Sequence, residues 1–413
     1  MIPILAAFAY ALVFWVCARR RPQFALLAIF AVAPFQNDLS MGGPLRFSLA
    51  EVNLLLTLPV FLLQQRPIRL APIGLPVAAY LGCCLVSSLL HWRGTSLLSL
   101  VQISVYLVIA VMVFRSLPRN AGQYRLPLLG LVCICAGIAT AVLVHRSGYV
   151  LGLHKNGTGG SLACGLIVCT ELWFAERDDI KKQWLLAALI LIASGLFFTL
   201  SRGAWLTAVT GVSMILLLRR QFLLLLRAAL VFVTLAAVCW KFTAQDSRQY
   251  ATAFERTNFN IRARYESMDF AMEEFQKSPV TGVGVGLRKE YDATNVVLLT
   301  LAETGVPGLI ALLWVHLAFF GMAWRSRRGL SSASPAYSLI AIATALLFGK
   351  VMHGAVDHYW GRGDIMIVWA SVGMAIRANA EARRLVSKQP RLPDLSGHPG
   401  FPMVDCAFPP RAR

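Results

Sequence analysis

Thr294-Asn-Val-Val-Leu-Leu-Thr-Leu-Ala-Glu-Thr-Gly-Val-Pro-Gly308 marks where the chain leaves its one long polar stretch and re-enters apolar sequence. That stretch, residues 241–294, carries Arg248, Arg256, Arg262, Arg264 and Arg288 and runs through Thr281-Gly-Val-Gly-Val-Gly-Leu287. Apolar runs flank it: near 2–17, 22–37, 47–63, 73–90, 96–114, 126–144, 161–175, 184–200, 204–218 and 222–240 before, and 295–324, 338–352 and 365–380 after. The chain is 57% hydrophobic and 14% charged, with a mean hydropathy of +0.63, so it has too little polar surface to cover a soluble core. A crossing helix takes roughly 20 residues, and several runs are shorter. The expectation is an all-α fold, a polytopic transmembrane helix bundle of about 12–13 spans, with one large external loop containing short amphipathic helices.

The loop is too short to hold much core of its own. The expected organisation is therefore a membrane domain over 1–380, loop 241–294 included, followed by a disordered tail over 381–413 that is rich in Pro and Gly. The first segment, Ile2 to Cys17, has neither a basic leader nor a small-residue cleavage site and reads as a retained helix. No internal repeat is visible, which weighs against a transporter built from two related halves.

A net charge of +19 would suggest nucleic acid in a soluble protein. Here the basic residues flank spans, so no nucleic-acid partner is expected. Arg19-Arg20-Arg21, Arg66/Arg69, Arg115/Arg119/Arg125, Arg177/Lys181/Lys182, Arg219/Arg220, Arg325/Arg327/Arg328 and the tail from Arg377 fall on one side of the alternating spans. That side is cytoplasmic by the positive-inside rule, from which long loops are exempt. Residues 145–160, 201–203, 241–294 and 353–364 then share the external face. The nine cysteines lie almost all in apolar runs without a CxxC pair and read as buried thiols rather than disulfides or zinc ligands.

Four groups on that face carry chemistry. Ser201-Arg202-Gly203 joins two apolar runs with almost no loop; an arginine there needs an anion or carbonyl partner, or snorkels to lipid phosphate. Ile261, Tyr265, Met268, Met272 and Phe275 recur at helical spacing, which predicts an amphipathic helix ending before Pro279. Its arginines suit a pyrophosphate, which they grip bidentately; equally, they suit internal pairing with its acidic residues. His154-Lys155-Asn156 opens a span, and His353, Asp357, His358 and Arg362 occupy the last external loop. The two histidines favour interfacial packing over a metal site, and no metal or other cofactor is expected. Gly282-Val-Gly-Val-Gly286 lacks the strand-turn-helix context of a phosphate cradle and reads as a flexible turn. Within the spans, Glu171 and Arg227 are expected to snorkel, and Glu303 precedes a helix break that would line a cavity.

Taken together these segments resemble the O-antigen ligase and polymerase superfamily of bacterial polytopic membrane proteins. The resemblance rests on Asn295, nine residues, Gly305, two residues, Gly308, preceded by the Pro279/Gly282-Val-Gly284 stretch. It is strengthened by Ser201-Arg202-Gly203, by Arg264 fifteen residues before Pro279, and by His154-Lys155-Asn156, which is similar to a motif of exopolysaccharide polymerase-like members. In the ligases a histidine directly precedes the asparagine; here the position is Thr294.

The resemblance implies transfer of a glycan from an undecaprenyl-pyrophosphate carrier to a polysaccharide or lipid acceptor. Transfer would occur at the periplasmic face of the bacterial inner membrane, without nucleotide or metal. It implies catalytic roles for Arg202, Arg264 and Asn295. Substrate binding is expected of Arg288, His154, Lys155, Asn156, Glu303, His353 and His358. Thr294 cannot act as a general base at neutral pH, which favours a polymerase, or a ligase for another polysaccharide, over a strict lipid A-core ligase. The competing reading is a transporter or flippase of lipid-linked saccharide, which would need polar groups deep in several spans.

Overall fold

A computed structural model describes residues 2–35, 47–63, 70, 72–230, 234, 259–287, 295–357 and 362–388. Among these residues the secondary structure is helical, apart from one isolated bridge between Val150 and Leu153. Helices α1 (Ile2–Arg20), α2 (Pro22–Val32), α3 (Leu49–Leu56), α4 (Leu58–Leu63) and α5 (Gly74–Leu90) come first. Helix α6 (Ser96–Ser104) passes through a π-helical turn, Val105–Ala110, into α7 (Val111–Ser116). Then follow α8 (Arg125–His145), α9 (Lys155–Ala175), α10 (Asp179–Phe198), α11 (Arg202–Leu218), α12 (Phe259–Lys277), α13 (Val296–Arg328), α14 (Pro335–Gly354) and α15 (Arg362–Lys388). Among the described residues six helical stretches are long and apolar enough to cross a membrane, and four shorter apolar helices accompany them. The protein is an all-α, multi-pass membrane bundle.

Helices dominate because lipid offers backbone groups no partner, so each segment must satisfy its own hydrogen bonds. What then decides packing is side-chain size. Gly349 of α14 lies against the Thr207 carbonyl of α11, where a Cβ would come within 2.8 Å. Gly195 of α10 meets Ala139 of α8 as closely, with a Cβ 2.7 Å from that residue's Cα. Small residues at such crossings bring backbones together and recover dispersion contacts, which substitute for the missing hydrophobic drive. Helices α9, α14 and α15 form the buried centre of the bundle, and α10 lies at its periphery.

The residues that the charge pattern assigns to one face meet at one end of the bundle. Thr199 meets Gly148, Ser201 binds Asn156, and Arg264 reaches Asp357. At the opposite end Arg125 pairs with Glu176, the Ala121 amide donates to Glu381, and Ser326 donates to Asn379.

Several expectations need correction. Glu171 does not snorkel: it is fully buried and held bidentately by Arg219, which also donates to Ser338 and sits over the Tyr337 ring. A buried carboxylate with that many charge-assisted donors has no reason to seek the interface. Among the described cysteines four are buried, but Cys133 is exposed on α8, facing away from the bundle. Helix α15 continues to Lys388, past the expected start of the tail at 381; residues 389–413 lie outside the described residues.

Candidate active site

Asn295 opens the site. Its side-chain oxygen accepts from the backbone N–H groups of Val297 (2.9 Å) and Leu298 (3.2 Å), capping α13, while its amide donates to the Ala355 carbonyl at 3.0 Å. An asparagine is suited to both tasks, since one oxygen serves the helix end and the NH2 group remains for a second element. Ten residues later α13 breaks at Gly305, whose φ of 67° and ψ of −172° lie where essentially only glycine resides. The break lets Val306 donate to the Pro279 carbonyl at 2.9 Å, with Pro307 and Gly308 restarting the helix. Gly308 packs against the Thr304 side chain, where a Cβ would collide. The Asn295–Gly305–Gly308 spacing thus encodes a cap, a kink and a close approach.

The glycine turn docks into that kink and is not flexible, contrary to the sequence expectation. Gly282, Gly284 and Gly286 have φ of +73°, +90° and +108°, and residues 282–287 are all buried. Their backbone groups are matched by neighbouring helices. Gly284 donates to Ser87 Oγ (2.9 Å) and Gly286 to the Glu303 carboxylate (2.8 Å). The Val283 carbonyl accepts from Arg93 Nε (2.8 Å), and the Val285 carbonyl from Ser96 Oγ (2.8 Å). Polar backbone at this depth persists because it is saturated by protein. Glu303 lies here, 8% exposed, with its carboxylate on the Gly286 amide. Arg93 also pairs with Glu274 at 3.3 Å, tying the turn to α12.

Helix α12 forms over the residues the spacing predicts and turns one face to the bundle. Ser267, Ala271 and Glu274 are buried, with Phe270, Met268 and Phe275 partly so, whereas Tyr265 and Met272 are exposed. The reason is the close packing of α12 on the first turns of α13: Ala271 fits against Leu299 and Ala302, where a methionine would not. That rotation decides the fate of the arginines. Arg262 faces outward and pairs with Glu266 of its own helix, while Arg264 turns inward. Arg264 donates to the Val356 carbonyl (2.6 Å) and to Asp357 Oδ2 (3.2 Å), both in the connection between α14 and α15.

The same α14–α15 hairpin meets α11. Gly203 lies beneath His353, and a Cβ there would overlap the imidazole at Nε2. Arg202, the first residue of α11, is exposed beside it. On the other flank Ser201 Oγ donates to Asn156 Oδ1 at 3.2 Å. His154 caps α9, accepting from the Asn156 amide, and its ring packs edge-on against Tyr149. The structure therefore gathers Arg202, Arg264, Asn295, His353, His154, Lys155 and Asn156 around one end of the bundle. Arg288, His358 and Thr294 lie outside the described residues. Beside α11, with Trp205 in its wall, an apolar cavity of about 640 Å³ is bounded by α9, α10, α11 and residues 225–229.

Residues 187–313 match the O-antigen ligase family model. Over this segment the chain is similar to the O-antigen ligases. No curated protein matches the chain. The O-antigen ligase segment contains Arg202, Arg264, Asn295 and both glycines of the kink, while His154–Asn156 and His353 come from outside it. The match supports glycan transfer in general, of the glycosyltransferase-like kind used in polysaccharide biosynthesis.

Three residues at this end are not among the sequence-derived site candidates. Asp357, noted only as part of the last external loop, receives Arg264. Lys350 and Asp364 form a buried ion pair beneath the hairpin. The lysine had a readable signal, a cation inside the run Leu346-Leu-Phe-Gly-Lys-Val-Met352.

Proposed function

We propose that this protein transfers a glycan from an undecaprenyl-pyrophosphate carrier to a polysaccharide or lipid acceptor at the periplasmic face of the inner membrane. The observation that carries the reading is the convergence of Arg202 and Arg264 on one hairpin, through Gly203–His353 and through Val356–Asp357. Cleaving a sugar–pyrophosphate bond develops negative charge on the leaving phosphate, and preorganised guanidinium groups stabilise that charge most in a site shielded from water. Arg264 is held before any substrate arrives, so its orientation is not lost to rotamer freedom at the moment of reaction.

The apolar cavity beside Trp205 suits the isoprenoid tail of such a donor, leaving the pyrophosphate at the level of Arg202. Asn295 joins α13 to the hairpin and acts on the reacting groups through it. In this reading His353, which packs against Gly203, orients or deprotonates the acceptor hydroxyl in the role that Thr294 cannot fill. A polymerase, or a ligase for a polysaccharide other than the lipid A core's, fits this departure best.

The test uses Arg202→Ala and Arg264→Ala in a strain lacking its own copy. Both variants are expected to insert and accumulate normally while surface polysaccharide disappears and lipid-linked donor builds up in the periplasmic leaflet. Normal polysaccharide from both would overturn the proposal, and donor retained in the cytoplasmic leaflet would replace it with a flippase.

A further inference from the structure

Beneath the hairpin, one turn below His353 on α14, Lys350 Nζ lies 3.1 Å from Asp364 Oδ2, with side chains 2% and 6% exposed. The other carboxylate oxygen, Oδ1, accepts from Ser161 Oγ at 2.9 Å. Asp364 is seated on Gly160, where a Cβ would overlap its carboxylate. It also occupies the first turn of α15, where a negative charge is favoured by the helix N-terminus. An ion pair this deep costs several kcal/mol per ion to desolvate and is a weak source of net stability, so its retention calls for another account.

The topology supplies one. Lys350 and Asp364 stand at the two roots of the α14–α15 hairpin, whose intervening residues include His353, Ala355, Val356 and Asp357. These receive Asn295 and Arg264 and cover Gly203. Ser161 and Gly160 belong to α9, whose first turn carries His154, Lys155 and Asn156. One carboxylate therefore registers three helices whose outer ends build the site.

We propose that Asp364, Lys350 and Ser161 are positioning residues: an ionic clasp that fixes the hairpin root against α9 and so sets where Arg264 is held. They touch no substrate. The inference rests on the glycan-transfer reading for its activity readout, and hydrogen exchange tests it independently of that reading. In the hairpin the Val356 and Asp357 amides donate to the His353 carbonyl at 3.0 and 2.9 Å and report on its order.

The experiment uses the full chain in lipid nanodiscs, comparing Asp364→Asn, which keeps shape but removes the charge, with Lys350→Met. Amide exchange across 353–357 is expected to accelerate about tenfold in each, while core segments of α11 stay unchanged. Turnover per folded molecule, on an undecaprenyl-pyrophosphate oligosaccharide, is expected to fall about tenfold or more with donor KM within about twofold. Unchanged exchange in both variants overturns the clasp whether or not the protein transfers glycan. Faster exchange with unchanged turnover also overturns it, leaving a merely structural pair. Should both variants fail to accumulate, Ser161→Ala decides: it removes one hydrogen bond only, and unchanged exchange at 353–357 refutes the proposal.

Discussion

Replacing Gly305 by alanine isolates the kink of α13 as a cause. At φ 67° and ψ −172° an L-residue pays about 1–3 kcal/mol in backbone strain. Its Cβ would also overlap the Val280 carbonyl and approach the Pro279 carbonyl at 2.8 Å, adding about 1–3 kcal/mol for repacking against main chain that cannot rotate away. Against this, alanine loses less conformational entropy on folding, a gain of about 0.4–1 kcal/mol. The net expectation is a destabilisation of about 2–5 kcal/mol, a large share of a typical total of about 5–15 kcal/mol. Gly321 of the same helix is the control. Its backbone is helical, and the nearest atom to an added Cβ is Arg325 Nη2 at 3.8 Å, so Gly321→Ala should stabilise by about 0.5–1 kcal/mol. The measurement is the thermal midpoint of each detergent-solubilised variant, followed by glycan transfer per folded molecule. Gly305→Ala should lower both quantities and Gly321→Ala neither. Equal midpoint shifts for the two variants, or none for Gly305→Ala, would refute the account of the kink.

Other perturbations separate the site from its scaffold. Arg264→Lys keeps the charge but cannot reach the Val356 carbonyl and Asp357 together; losing one charge-assisted bond of about 1.5–3 kcal/mol should slow transfer about tenfold to a hundredfold, read by initial rates, with normal protein levels. Arg219→Met should destabilise by about 3–5 kcal/mol because it strands the buried Glu171, whereas the double variant with Glu171→Leu should recover most of that loss in thermal unfolding. Asp178 caps α10, and the Lys181 backbone N–H bound to it holds its carboxyl below the usual carboxylate range. A carboxylate whose folded pKa is depressed contributes stability above the unfolded value of about 3.9 and loses it as pH falls through the lower folded value. Asp178→Ala should therefore lower the thermal midpoint at neutral pH, with the difference vanishing in acid.

How much of this was legible depended on the kind of signal. Apolar runs separated by arginine clusters revealed the helices and their two ends, because the bilayer enforces length and internal hydrogen bonding segment by segment. The Asn295–Gly305–Gly308 spacing marked where the chain re-enters the bundle, but not the cap and kink it encodes there. The glycine turn was misread as flexible because its partners, Ser87, Arg93 and Ser96, lie some 190 residues earlier in sequence. The helical spacing revealed α12 but not which face packs on the bundle, because the contact with α13 favours the small Ala271. The Lys350–Asp364 pair was missed for a similar reason: a lysine in an apolar run is visible, but its partner fourteen residues on is defined only once α14 and α15 fold back on one another.

The seat of the glycine turn also bears on how such enzymes can be recombined. The stretch that matches the family, 187–313, lacks most of the residues that satisfy its own most demanding backbone: beside its own Glu303, those sit on α5, on α6 and between them. A chimera that transplants 187–313 alone would bring the turn to a foreign wall and leave several carbonyls and amides without partners in a water-poor layer. Specificity swaps between relatives should therefore carry residues 74–104 along with the loop, as two halves of one exchangeable cassette.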